Sequence, residues 1–126
     1  MDMNQVTLGT LNLAESISFY KTLGFRLIVH SANHYARFEL PRGNATFSLH
    51  MTENQIDHGS NVTHFEVEDI DKKHAELTAA GIVFDTEPTD ESWLWREARF
   101  RDPAGNILCL YYAGDNRRYP PWRREG

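Results

Sequence analysis

Apolar residues recur along this chain at two periods, and the same order of periods occurs twice. From Gln5 to Thr10 apolar and polar positions alternate, the pattern of a half-buried strand. The spacing then lengthens, and Leu13, Ile17, Tyr20 and Leu23 fall on one helical stripe. Asn12, with Glu15 three residues on, makes a capping-box arrangement at the start of that helix. Gly24 supplies the left-handed residue that stops it. Phe25 to Ser31 and His34 to Leu40 read as paired strands, Pro41 to Asn44 as a turn, and Ala45 to Met51 as a fourth strand. A polar stretch, 52–60, reads as a linker.

The pattern then restarts. Val62 to Val67 is a strand, Asp69 caps a helix running to about Ala80, and Gly81 stops it. Ile82 to Asp85 reads as a short strand and Thr86 to Ser92 as a polar, acidic loop. Trp93 to Arg101 and Ile107 to Ala113 read as a hairpin around Asp102-Pro103-Ala104-Gly105-Asn106. Asn12-Leu13 matches Asp69-Ile70 and Gly24 matches Gly81 at one constant offset. The order predicts an α+β fold: two tandem βαβββ modules forming curved mixed sheets around a cavity. We read residues 1–126 as a single domain. It comprises module one (about 3–51), the linker (52–60), module two (61–113) and a C-terminal arm (114–126).

Strand parity sorts the side chains into two faces. Val6, Leu8, Ala36, Phe38, Phe47, Leu49, Phe65, Ala98, Phe100, Leu108 and Leu110 belong to the face packed under the helices. The other face carries Gln5, Tyr35, Arg37, Ser48, His50, Val62, His64, Glu66, Trp95, Glu97, Arg99, Cys109 and Tyr111. It is too polar for a core and too rich in His, Tyr and Trp for a plain solvent face. A concave surface of mixed aromatic and polar groups suits a small-molecule pocket.

Composition narrows the functions. A net charge of -5 argues against nucleic acid, whose phosphates call for clustered positive charge. The one basic cluster, Arg117, Arg118, Arg123 and Arg124, is interleaved with Tyr119-Pro120-Pro121-Trp122 and reads as an arm packed on its own or a neighbouring subunit. The single cysteine, Cys109, rules out an internal disulfide and is compatible with a reducing cytoplasm. No basic-then-apolar N-terminal run signals secretion, and no membrane partner is expected.

Three stretches together resemble the vicinal oxygen chelate superfamily of glyoxalases, bleomycin resistance proteins and extradiol dioxygenases. They are Leu11 to Tyr20 with Leu23-Gly24-Phe25, Phe65 to Asp71, and Arg96-Glu97 with Arg101 to Asn106. The resemblance covers the chain up to Tyr112. It implies paired βαβββ modules and a homodimer whose modules build the cavities. Enzymes of the family hold a divalent metal, and the matching positions here are Gln5, about Ser48, Val62 and Cys109. Val62 has no donor atom, Ser48 is a poor ligand and a neutral thiol is a weak one. That departure points to the bleomycin resistance branch, whose members sequester a drug without metal chemistry and also carry an aliphatic residue at the Val62 position.

The leading reading is therefore a cytoplasmic, homodimeric small-molecule binding protein. Its ligand is an aromatic or amphipathic compound, and no cofactor is predicted. The ligand-binding residues expected are Gln5, Arg37, Ser48, His50, His64, Glu66, Trp95, Glu97, Cys109 and Tyr111. The rival is a metal-dependent lyase or dioxygenase with a nonstandard ligand set drawn from Gln5, His50, His64 and Glu66. A two-residue shift along a strand moves a side chain by about 6–7 Å, which weighs against it. Trp93 and Trp95 either stack on a planar ligand or cover a sheet edge. His30, His34, His58 and His74 are assigned no role.

Overall fold

Each half of the chain begins with a strand, turns through a capped helix and returns as three more strands. The computed structural model describes residues 1–126 except Gln55, Asp57 and His58. His58 and part of the 52–60 linker thus lie outside the described residues. The first half contains β1 (Gln5–Thr10), α1 (Leu13–Thr22), β2 (Arg26–Ser31), β3 (Tyr35–Glu39) and β4 (Thr46–Met51). The second contains β5 (Thr63–Glu66), α2 (Ile70–Ala79), β6 (Thr89–Asp90), β7 (Arg96–Arg101) and β8 (Ile107–Tyr112), followed by a 3-10 turn at Gly114–Asn116. The two sheets have the orders β1-β4-β3-β2 and β5-β8-β7-β6. The first and last strands of each module pair in parallel, and the remaining pairs are antiparallel. This is the α+β fold of two βαβββ modules that the periodicity predicted. The chain forms two compact units, Met1–Ser60 with Asp102–Asn106, and Asn61–Arg101 with Ile107–Gly126.

The helix signals act as read. Asn12 accepts the Glu15 N–H and Asp69 accepts the Lys72 N–H, each relieving an open donor of a first turn. Gly24 and Gly81 have φ of +95° and +99°, a conformation that side chains with a Cβ rarely adopt.

In the first unit the α1 stripe packs on the sheet. Leu13, Ile17, Tyr20 and Leu23 are buried, with the Tyr20 ring 4.4 Å from Phe47 and 5.5 Å from Phe25 between centroids. Fully burying such a ring contributes roughly 1.5–3 kcal/mol. The Tyr20 hydroxyl would be orphaned there, but it donates to Asp102 Oδ2 at 2.6 Å. Asp102, itself buried, also accepts from the Ala104 and Asn106 N–H groups and from Asn106 Nδ2. Asn106 Nδ2 further donates to the Gly9 carbonyl at 2.9 Å. Burial and the Asp102 charge both push the Tyr20 phenol far above its ordinary value.

In the second unit Ile70, Leu77, Ile82, Ala98, Phe100, Leu108 and Leu110 are buried, and Cys109, Tyr111 and Ala113 form a second buried cluster with Val62 and Trp95 packed against it. The His74 ring on α2 lies 4.4 Å from that of Phe84. Arg96 on β7 donates to both oxygens of Asp71 on α2, at 2.8 and 3.1 Å, and to Asp90 on β6 at 3.1 Å.

Three expectations change in the second half. Ile82 to Asp85 forms no strand, only an isolated bridge between Phe84 and Phe100. The strand β6 instead arises within the stretch read as a loop, where Thr89 pairs with Glu97 and Asp90 with Arg96. Two exposed polar residues leave no periodic signal. The strand read from Trp93 starts only at Arg96, because Leu94 has φ +66° and its N–H bonds back to the Glu91 carbonyl. A left-handed residue cannot continue an extended strand.

Candidate functional site

Each sheet has one face under its helix and one face free of it, and the predicted site residues fall into two groups. In the first unit they meet on β1, β3 and β4. Ser48 is fully buried, and its hydroxyl lies 2.6 Å from the Tyr35 hydroxyl. Gln5 Nε2 donates to Ser48 Oγ and, at 3.3 Å, to Tyr35. The Gln5 amide oxygen accepts from Thr46. Arg37 Nε donates to the Tyr35 hydroxyl at 2.9 Å, and no carboxylate pairs with Arg37 among the described residues. Burial tends to raise the Tyr35 phenol, but hydrogen bonds with Ser48, Arg37 and Gln5 and the Arg37 charge outweigh it and lower it. His50 is exposed, opposite Tyr35 in register, and makes no hydrogen bond with this network among the described residues.

In the second unit the residues meet on β5, β8 and β7. Cys109 is the register partner of His64 on one side and of Arg99 on the other. Glu97, only 5% exposed, is held at Oε2 by the Trp93 indole N–H at 2.7 Å. Its Oε1 receives the Cys109 thiol at 3.4 Å, with Arg99 Nη2 3.6 Å away. Burial, then the Glu97 charge and hydrogen bond, push the Cys109 thiol up to about 12, against an opposing pull from Arg99. The thiol is thus protonated at neutral pH and is no ready nucleophile. His64 is lowered by burial and the Arg99 charge, which together outweigh the opposing effects of Glu97 and the Val62 carbonyl. It is therefore a neutral imidazole at pH 7.

Beside this cluster stands an aromatic wall. Trp95 and Tyr111 stack at 4.7 Å with 24° between planes. His64 meets both edge-on, at 5.8 and 5.4 Å. The Trp95 indole N–H reaches the Asn116 carbonyl at 3.4 Å. His64 thus places an exposed polar group next to the Trp95 ring, while the Trp93 N–H, the buried Glu97 and the buried Cys109 thiol are bonded to one another.

Glu66, expected to meet ligand, is otherwise engaged. One of its oxygens accepts the Ala113 and Gly114 N–H groups at 2.8 and 2.9 Å, and the other lies 3.9 Å from Arg117. It anchors the start of the C-terminal arm to β5. Three residues absent from the expected set belong to the clusters: Tyr35, Trp93 and Arg99. Parity had placed Tyr35 and Arg99 on the right face. Trp93 carries no such signal, since it reaches Glu97 from a turn rather than from a strand.

The comparisons agree with this fold. A profile described as the Glyoxalase/Bleomycin resistance protein/Dioxygenase superfamily matches residues 2–110. An uncharacterized protein of Mycolicibacterium smegmatis is 34% identical over 113 residues, covering 87% of this chain and 92% of that protein. Among solved structures, a lactoylglutathione lyase from Agrobacterium tumefaciens superposes with a TM-score of 0.74 at 17% identity, covering 88% of this chain and 92% of the other. A bleomycin resistance determinant encoded on transposon Tn5 gives 0.73 at 18% identity, covering 89% and 98%. By sequence and by fold, this chain belongs to the glyoxalase/bleomycin resistance protein/dioxygenase superfamily.

Proposed function

We propose that this protein binds and sequesters an aromatic or amphipathic small molecule, acting as a homodimer in the cytoplasm. The observation that carries the reading is the Trp95–Tyr111 stack with His64 edge-on beside it. Tyr111 is buried and Trp95 partly buried, so the stack holds the Trp95 ring rigid, and aromatic pairs of this kind are worth about 0.5–1.5 kcal/mol beyond area burial. The exposed His64 imidazole adds a hydrogen-bonding group, which helps fix a ligand's pose. The Tn5 protein shows that the fold is used by a resistance determinant.

The enzymatic alternative drew a divalent metal's ligands from Gln5, His50, His64 and Glu66, but Glu66 is engaged with the Ala113 and Gly114 N–H groups, and the residues at the family's own metal positions do not fit a metal either. Val62 offers no donor. The Gln5 amide oxygen is occupied by Thr46, and Ser48 is a neutral hydroxyl spent on Tyr35 and Gln5. Cys109 is a protonated thiol bonded to Glu97. Hard cations require oxygen-rich, charged ligand sets, and this set holds no carboxylate. No lyase or dioxygenase step is therefore assigned.

Thermal-shift screening of untagged protein against planar drugs and quinones, followed by titration of tryptophan fluorescence, tests the reading. A ligand of the folded form raises Tm with occupancy. Trp95→Leu and Tyr111→Leu are expected to weaken such a ligand about tenfold each, since about 1.4 kcal/mol is a factor of ten. Unchanged affinity in both variants, or conversion of the ligand into product, would overturn it.

A further inference from the structure

We propose that His64, Glu97 and Cys109 together form a binding site for a borderline, thiophilic divalent cation of the Zn²⁺ or Co²⁺ type. This site shares His64 with the ligand-sequestration reading, but it does not rest on that reading and goes beyond it. Only Cys109 is shared with the positions at which the family holds its metal.

The three side chains come from β5, β7 and β8 and offer one nitrogen, one oxygen and one sulfur, all within 4.8 Å of one another. Three mixed donors at that spacing match what a tetrahedral cation takes from a protein while keeping a fourth position open. The nitrogen and sulfur donors favour a borderline metal over Mg²⁺ or Ca²⁺. The carboxylate is already oriented. Trp93 fixes Oε2 at 2.7 Å, which leaves Oε1 turned to the thiol. Such support of a ligand by an outer hydrogen bond is what holds metal ligands in place.

Oε1 is the atom that singles out this cluster. Glu97 is almost wholly buried, yet among the described residues Oε1 is met by a thiol, a weak donor, and by an arginine nitrogen at 3.6 Å, beyond hydrogen-bond reach. A buried carboxylate oxygen so weakly met gains strongly from a cation. Arg99 supplies part of that charge from a side chain 41% exposed, so it can turn to solvent when a metal enters. His64, on the exposed side, gives the ion its route in. Binding breaks the Cys109 S–H bond, forms a sulfur–metal bond and releases the proton to solvent.

Cobalt titration of untagged, chelator-stripped full-length protein tests this. Wild type should take up Co²⁺ stoichiometrically and show near-ultraviolet thiolate-to-cobalt charge transfer that excess Zn²⁺ removes. Cys109→Ser should abolish the charge-transfer band, and His64→Ala and Glu97→Gln should each weaken binding tenfold or more. No band in wild type overturns the proposal, as does an unchanged band in Cys109→Ser. Should the buried serine variant fail to fold, His64→Ala decides, because its side chain is exposed: unchanged cobalt affinity there rejects the site. Aromatic-ligand binding measured in the presence of chelator reports on the sequestration reading by itself, so the two can fail separately.

Discussion

The two modules place an arginine at the same point of their respective sheets and use it differently. Arg37 on β3 is the register partner of Ser48 on β4, and Arg99 on β7 is the partner of Cys109 on β8. Two residues earlier on those strands stand Tyr35 and Glu97. In the first unit the guanidinium donates to a neutral phenol, so its charge has no carboxylate partner among the described residues. In the second it faces a buried carboxylate, and the charges compensate. A duplicated backbone thus carries one face built of neutral hydrogen bonds around a cation and one built around a buried anion with an aromatic wall. Backbone hydrogen bonds preserve the frame, and a single side-chain exchange at β3 or β7 inverts the local electrostatics.

The largest test of the difference lies in the turns. Asp102 begins the Pro103-Ala104-Gly105-Asn106 turn and binds Tyr20, two backbone N–H groups and Asn106. The corresponding first-module turn, Pro41-Arg42-Gly43-Asn44, ends in an exposed Asn44. Asp102→Ala should destabilise by about 3 kcal/mol, because it orphans several buried donors at once. Asn44→Ala should stay within about 0.5 kcal/mol. Urea denaturation reads both, and equal effects would erase the distinction between the turns.

The faces themselves come next. Glu97→Ala leaves the Trp93 N–H, the thiol and Arg99 without their acceptor and should cost about 2 kcal/mol. Tyr35→Phe removes one hydroxyl from a network that Ser48 and Gln5 can close without it, and should cost about 1 kcal/mol. A larger loss at Tyr35 than at Glu97 would reverse the ranking of the two faces.

The pH dependence of stability separates the units more gently. Hydrogen bonds from Arg96, and then its charge, hold the exposed Asp71 carboxyl below the usual carboxylate range. A depressed carboxylate stabilises above its unfolded value of about 3.9 and loses that contribution as pH falls through the folded value. Asp71→Asn should flatten the acid limb measured by thermal melts between neutral and strongly acid pH. Tyr20 is raised, so its contribution is full below its unfolded value of about 10 and declines above it. Tyr20→Phe should flatten the alkaline limb instead. An acid limb unchanged in the asparagine variant would show that the Arg96 clamp does not act on folding.

Most of the frame was legible in the chain. Asn12, Asp69, Gly24 and Gly81 announce helix ends through local chemistry, and strand parity separated the buried Phe38, Phe47, Phe100 and Leu108 from the polar face. The exceptions were local as well. β6 is two exposed residues, and the Trp93 turn rests on a left-handed Leu94 that nothing in its residue type suggests. Within the site, parity could name a face but not a partner. Glu66 and Glu97 share parity, yet one caps backbone N–H groups of the C-terminal arm and the other lies under Trp93 beside the thiol.

The amino-acid order by itself determined the duplicated strand–helix–strand plan, because periodicity and caps act within a few residues of chain. It also determined that Val62 could never ligate a metal. Only the tertiary structure decided which polar atoms meet: that Tyr20 finds Asp102, that Arg37 meets a phenol, and that His64, Glu97 and Cys109 converge. Those meetings join residues far apart in the chain. Their geometry depends on strand register and side-chain rotamer, which hydrophobic pattern does not encode.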